Sequence, residues 1–265
     1  MKKIIVTALV ALTTALTAYA QLPKRNHFAL QIMYDCAYEK SKIGSDAKFK
    51  RAEKQKGTSI GFLWELDFKK WRTVDIGMES GLTYSYHKGK SSDTRIDGAF
   101  KSEIKTQHIR HDLSIPLRFV YRQLIARDTY FTIYFGPNFQ FSAGNKALST
   151  EKRPDSQGNI TELKTTYNLL SGSEANKFVR THVTDELEQN APVWGNVKPF
   201  NLQLGLAASL QFHEIQIRGG YDWGLGNLFQ YTNTATNLKS WKLTDRVDQW
   251  FIGLVLFFPE KKSQW

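Results

Sequence analysis

The chain has 265 residues, a formal net charge of +11, 13% aromatic residues and a mean hydropathy of −0.42. So low a hydropathy is at odds with a bundle of transmembrane helices, but not with a strand-built membrane protein, in which only every second residue has to be apolar. Cys36 is the single cysteine, so an internal disulfide is excluded and an intermolecular one is left open.

The first residues read Met-Lys-Lys, then an apolar stretch from Ile4 to Leu16, then Ala18-Tyr19-Ala20. A charged start, a short apolar middle and an Ala-x-Ala end form a cleavable secretion signal over residues 1–20, with the mature chain beginning at Gln21. The apolar stretch is shorter than the roughly 20 residues of a spanning helix. Residues 21–265 read as one domain.

The first strand is predicted over Asn26 to Cys36, with Phe28, Leu30, Ile32 and Tyr34 on one face. A polar, Lys-rich segment from Ala37 to Gly57 follows as a loop. The second strand, Thr58 to Phe68, sets Ile60, Phe62, Trp64 and Leu66 against Ser59, Gly61, Glu65 and Asp67. The third, Val74 to Tyr86, sets Ile76, Met78, Leu82 and Tyr84 against Asp75, Glu79 and Thr83. Residues His87 to Thr106 read as a second polar loop.

The next two strands, within Gln107 to Ala143, are the clearest. Ile109, Leu113, Ile115, Leu117, Phe119 and Tyr121 oppose His108, Arg110, Asp112, Ser114 and Arg118. After a break at Arg122 to Asp128, Phe131, Ile133, Phe135, Phe139 and Phe141 oppose Thr132, Tyr134, Asn138 and Gln140. This period of two marks an antiparallel hairpin. Its strands exceed the roughly 9–11 residues needed to cross a bilayer at a tilt. Pro116 on the inner face predicts a bulge.

A long third loop is placed at about 144–198. The turn cluster Pro154 to Asn159 predicts a hairpin projecting from it, and the spacing of Val179, Val183 and Leu187 after Ser173 predicts a short helix. Phe200 to Phe212, Ile215 to Leu225 and Val247 to Phe258 are the last three strands, with residues 227–246 as a polar loop.

Eight strands joined alternately by long and short connections predict an all-β, eight-stranded antiparallel up-and-down transmembrane β-barrel. Its short turns and both termini lie in the periplasm and its long loops outside. A soluble barrel of the lipocalin type would be apolar within, whereas the non-apolar face here carries charges of both signs. The expected location is the cell outer membrane. Glu65, Asp75, Glu79, Arg110, Asp112, Arg118, Arg218 and Asp222 are expected to form an ion network filling the lumen. Eight strands leave a lumen just wide enough for side chains.

Lys48, Lys50, Arg51 and Lys54 make the first outer loop basic, and the positive surplus is expected to face membrane lipid and lipopolysaccharide rather than nucleic acid. Phosphate-cradling glycine loops and metal-binding spacings are absent, so no cofactor or metal is expected. A lipid A-modifying barrel enzyme would need a His with a Ser and an acidic partner at the outer rim. The candidates are His108, Asp112, Ser85 and Ser142, with His87 placed in a loop and His111 facing lipid. No such pairing falls on the lipid-facing side, so the reading is non-catalytic and monomeric.

Leu113-Ser114-Ile115-Pro116-Leu117, Tyr134-Phe135-Gly136-Pro137 and the segment Arg218 to Asn227 stand in an order that resembles the PorT-like outer-membrane β-barrel family of Bacteroidetes. The resemblance spans about Asn26 to Phe258. It implies a small outer-membrane barrel with a structural or surface-binding role, in one branch an accessory of type IX secretion machinery working with other envelope proteins. The Lys-rich first loop and the long third loop depart from that branch.

Overall fold

A computed structural model describes residues 25–43, 49–97, 100–154, 159–175, 177, 198–226 and 243–258. Nine strands follow in order: β1 (Arg25–Ile43), β2 (Phe49–Lys70), β3 (Val74–Asp97), β4 (Phe100–Ala126), β5 (Thr129–Pro154), β6 (Ile160–Asn168), β7 (Phe200–Phe212), β8 (Ile215–Gly224) and β9 (Leu243–Phe257). Each pairs antiparallel with its neighbours. The sheet order β4-β3-β2-β1-β9-β8-β7-β5 is closed by the additional pairing of β4 with β5, so eight strands form a ring. The ninth, β6, lies outside it. β5 pairs with β7 over residues 129–141 and, on the same edge further along, with β6 over residues 146–154.

The alternating residues divide as their parity dictates. Ile32, Leu82 and Leu254 stand outward and are 58%, 53% and 56% exposed, whereas Glu65, Glu79 and Arg218 point inward and are at most 1% exposed. An outer wall of Phe, Leu, Ile and Trp is far larger than the apolar patches that soluble monomers carry. On β3 the outward apolar row runs from Ile76 to Tyr86. About ten residues rising about 3.4 Å each, tilted by about 40°, span about 26 Å, close to the height of a barrel's lipid-facing band.

Short turns gather at one end of the ring. Arg127 and Asp128 join β4 to β5, and His213 and Glu214 join β7 to β8. Asp128 and His213 both take a positive φ of 55°, and the two turns meet where the His213 amide donates to the Asp128 carbonyl at 3.1 Å.

At the other end the expected loops are replaced by strands. Residues 37–43 and 49–57 extend the β1–β2 ladder, and residues 87–97 and 100–106 extend β3–β4. Their outward residues are mostly polar, so they lack the period that marks a membrane strand, while inward residues such as Ala37, Gln55, His87, Ile104 and Thr106 are buried and continue the ring's interior. β5 and β6 supply a third such antiparallel pair, residues 146–154 against 160–168. A helical turn begins at Gly172, while the helix expected through Val179, Val183 and Leu187 lies outside the described residues, as do residues 1–24 and 227–242.

Two irregularities differ from expectation. The β3–β4 ladder is interrupted at Ile115 and Pro116, and the β4–β5 ladder just beyond, at Leu117 and Arg118 opposite Gly136 and Pro137, while Pro116 itself pairs with Asn138; the register does not change across either gap, so proline makes no bulge. The bulge falls instead at Ala143: Asp112 faces Ser142 and His111 faces Gly144. The extra residue switches the inward parity of β5 from Thr132, Tyr134, Asn138 and Gln140 to Asn145, Ala147, Ser149 and Glu151.

Candidate functional site

All eight residues expected in the lumen point into it and are buried. Their contacts fall into three groups, of which the first two adjoin where Glu79 pairs across the ladder with Arg118. Nearest the turn end, Arg122 bridges Glu65 and Asp67, its Nη1 lying 3.3 Å from Asp67 Oδ2. Glu65 is shared with Arg218, whose Nη1 is 2.7 Å from Glu79 Oε2 and whose Nη2 is 3.5 Å from Glu65 Oε1. The Tyr134 hydroxyl donates to Glu65 Oε1 at 3.1 Å and accepts from Gln216 Nε2 at 2.8 Å. Asp75 is buried on the same inner face.

A second group crosses the middle of the barrel. Arg118 Nη2 contacts both oxygens of Asp222, at 3.0 and 3.2 Å, and Asn138 Nδ2 donates to Asp222 Oδ2 at 3.1 Å. Gly205 makes this possible, since it pairs directly with Asp222 and a Cβ there would collide with the carboxylate and lie 3.4 Å from Arg118 Nη2. A cavity of about 40 Å³ lies beside this group, lined by Gln31, Asp35, Thr83 and Arg118 among others. That is room for ordered water, not for an open channel.

The third group lies toward the hairpin end. Arg110 Nε is 2.6 Å from Asp112 Oδ2, the Ser142 hydroxyl donates to Asp112 Oδ1 at 2.7 Å, and Gln140 Nε2 donates to Oδ2 at 3.3 Å. His87, expected in a loop, is an inward residue of β3 that is fully buried, with Nδ1 3.5 Å from Asp112 and Nε2 4.0 Å from Asp35. The Ser142 hydroxyl is thus bonded to a carboxylate and not to an imidazole, the reverse of the order in which an acyl-transfer triad passes its proton. His108 and Ser85 are buried on the same inner face, while His111 stands on the outer wall with its Nδ1 2.6 Å from the Tyr84 hydroxyl. Among the described residues no cluster of His, Cys, Asp and Glu could hold a metal ion.

Arg122 is absent from the expected network because residues 122–128 read as a break, whereas β4 continues to Ala126. Its parity is that of Arg110 and Arg118, which was the available signal. The inner face also carries apolar residues, among them Tyr134, which the strand pattern places inward. Ala29, Met33, Leu63, Val120, Tyr134, Ala207, Phe251, Val255 and Phe257 form a buried cluster within the ring. Three of its rings carry arginines: Arg118 lies 5.1 Å from the Phe251 centroid, Arg122 6.0 Å from Phe257 and Arg218 3.9 Å from Tyr134.

The hairpin end is closed differently. Tyr167 at the end of β6 and Leu169 just after it pack with Ala147 on β5 and with Ala37 and Val247 on β1 and β9. β1 and β5 lie on opposite sides of the ring. The contact therefore spans the mouth and caps the lumen with apolar side chains.

Of the basic residues expected in the first loop, Lys50 and Arg51 lie on β2 opposite Lys42 and Ser41, and Lys48 is outside the described residues. Lys54 is exposed, its Nζ 5.8 Å from the centre of the Tyr38 ring. No described helix is long and apolar enough to cross a membrane, which says nothing of crossing by strands.

Residues 37–230 match the model of the outer membrane protein beta-barrel domain family. Among solved structures, Ail of Yersinia pestis, in complex with the heparin analogue sucrose octasulfate, is similar at 11% identity and a TM-score of 0.27, covering 87% of this chain and 99% of its own. Neisserial surface protein A matches at 10% identity and 0.28, covering 87% and 99%, and the outer membrane protease OmpT of Escherichia coli at 7% and 0.29, covering 89% and 96%. No curated protein matches in sequence.

Proposed function

We propose that this chain, which belongs to the outer membrane protein beta-barrel domain family, is a closed, non-catalytic barrel that holds strand hairpins at the cell surface for a structural or binding role. It resides in the cell outer membrane. One observation carries the reading: the lumen is crossed at two levels by buried Arg–carboxylate pairs between strands, filled above them by Arg110 and Asp112 of β4, and capped by Tyr167 and Leu169. In this reading the turn end faces the periplasm and the β1–β2, β3–β4 and β5–β6 hairpins stand outside, with lipopolysaccharide as the adjoining ligand of the basic segment Lys48, Lys50, Arg51 and Lys54.

The test is conductance in planar bilayers. The purified barrel is expected to give no steady channel of general-porin size; reproducible large channels would overturn the reading. A lipid A mass spectrum from cells with and without the protein is expected to be unchanged, and a mass shift would make it an enzyme.

The motif order that resembles PorT-like barrels supports a second, narrower reading, an accessory of type IX secretion. Arg218 and Asp222 of the third motif are themselves lumen-pairing residues. Deleting the protein would then halt export of that system's cargo, and undiminished export would remove the reading.

A further inference from the structure

The outer wall carries a feature that neither the closed lumen nor the loop charges explain. Just beyond the apolar band, one row of outward residues reads across the strands as Cys36, Lys56, Lys88, Ile109, Lys146. Lys56 and Lys88 are direct cross-strand partners, which places their Cβ atoms about 5 Å apart, and Lys146 stands two strands further on, about 10 Å away. All three are exposed. Like charges directly opposite each other destabilise a ladder. The next row outward adds Lys54 beside Tyr38, and Lys90 opposite Gln107. The row inward is Tyr34, Thr58, Tyr86, His111, Gly144. No carboxylate occupies any of these three rows on the five strands.

The position of the cluster identifies what would offset the repulsion. Beneath it Tyr84, Tyr86 and His111 form a polar-tipped aromatic patch, with the His111 ring 5.2 Å from that of Tyr86 and hydrogen-bonded to Tyr84. Aromatic side chains with polar tips mark the level where acyl chains give way to headgroups. Gly144, opposite His111, leaves the flank of that ring uncovered. Lysines directly above such a patch, all three exposed, stand at the depth of lipid phosphates.

We infer that Lys56, Lys88 and Lys146, above the Tyr84–Tyr86–His111 patch, form a site on the barrel wall for the phosphate groups of outer-leaflet lipid A. The site rests on the orientation given under the proposed function, hairpin end outward. Phosphate bridging Lys56 and Lys88 converts a repulsive cross-strand pair into two attractive contacts, and Lys146 supplies a third. The ligand is thus a lipid already present in the membrane, held in register against β2 to β5.

The experiment compares the detergent-purified full chain with a Lys56→Gln/Lys88→Gln/Lys146→Gln variant and a control, Lys105→Gln/Lys152→Gln/Lys164→Gln, which removes the same charge further from the band. The probes are lipid A and chemically dephosphorylated lipid A, titrated across a salt series, with the heat-dependent gel shift confirming that each variant is folded. Three lysines at about 1 kcal/mol each, with 1.4 kcal/mol per tenfold, give an expected loss of about a hundredfold for lipid A. Little change is expected for the dephosphorylated lipid or for the control. Equal affinity of the wall variant and the parent, or equal loss in the control, overturns the site. Labelling of Lys164→Cys by an impermeant maleimide on intact cells reports orientation separately. An unlabelled cysteine would fail the orientation itself, whereas labelling with unchanged lipid A affinity would fail only the site.

Discussion

Replacing Arg218 by Met tests whether the lumen pairs hold the barrel together. The guanidinium is 1% exposed, contacts Glu79 Oε2 at 2.7 Å and Glu65 Oε1 at 3.5 Å, donates from Nε to Gln216 at 3.0 Å, and lies on the Tyr134 ring. With an effective dielectric constant of about 20, the closer contact alone attracts by about 6 kcal/mol before desolvation. Desolvation of both ions takes back much of that, but it is not recovered when only one ion is removed. Glu79, fully buried, would be left without its cation. Breaking a buried pair in this way costs about 3–5 kcal/mol, a large part of a typical total stability of about 5–15. Methionine retains the apolar stem, so the loss reports charge and not a cavity.

The assay is urea unfolding in detergent micelles or vesicles, followed by tryptophan fluorescence. Arg218→Met is expected to lower the midpoint by that amount with an unchanged denaturant slope, and Arg218→Met/Glu79→Gln to regain part of it, because the orphaned carboxylate has been neutralised. A single variant within about 1 kcal/mol of the parent would refute the reasoning. So would a double variant whose losses simply add, since coupled neighbours should not behave additively.

Gly205→Val should lose about 1–3 kcal/mol in the same assay, because any side chain there displaces Asp222 from Arg118; a neutral result would mean that the pair tolerates separation. Leu169→Ala is expected to open the mouth, which a cysteine at Ser142 would report as faster reaction with a small maleimide, while an unchanged rate would show that the cap does not govern entry. Replacing Lys48, Lys50, Arg51 and Lys54 by Gln should weaken lipopolysaccharide binding and flatten its salt dependence, each residue counting about 1 kcal/mol; equal affinity and slope would leave them as solvated charge.

The membrane-crossing part of the ring was legible because its outer residues meet lipid and its inner ones meet charge, and that contrast imposes a period of two. Above the apolar band the outward face no longer has to be apolar, so residues 37–43, 49–57, 87–97 and 100–106 carry no period of two although their backbones are paired. His87 was misplaced for that reason, although its parity is that of Glu79 and Ser85. Arg122 lies in the five residues by which β4 outruns the end its pattern gives at Tyr121. The cap was invisible for a different reason: Tyr167 and Leu169 meet Ala37 and Val247, far apart in sequence, and nothing local in a Tyr-Asn-Leu-Leu segment signals a contact across a ring.

Phe251, Val255 and Phe257 show why a rule of polar inside and apolar outside is incomplete for so narrow a barrel. On the last strand they share the inner parity, where a water-filled lumen would disfavour them. Here the lumen is filled by side chains, and its cations are planar. A guanidinium offers hydrogen-bond donors only at its edge, while its two faces are weakly hydrated and gain from an aromatic ring. Arg118 accordingly reaches Asp222 while lying over the Phe251 ring, and Arg218 reaches Glu79 and Glu65 while lying over the Tyr134 ring. A lysine could not do both, having neither an edge nor a face. The inner aromatics Tyr134, Phe251 and Phe257 therefore belong to the same device as the inner arginines Arg218, Arg118 and Arg122.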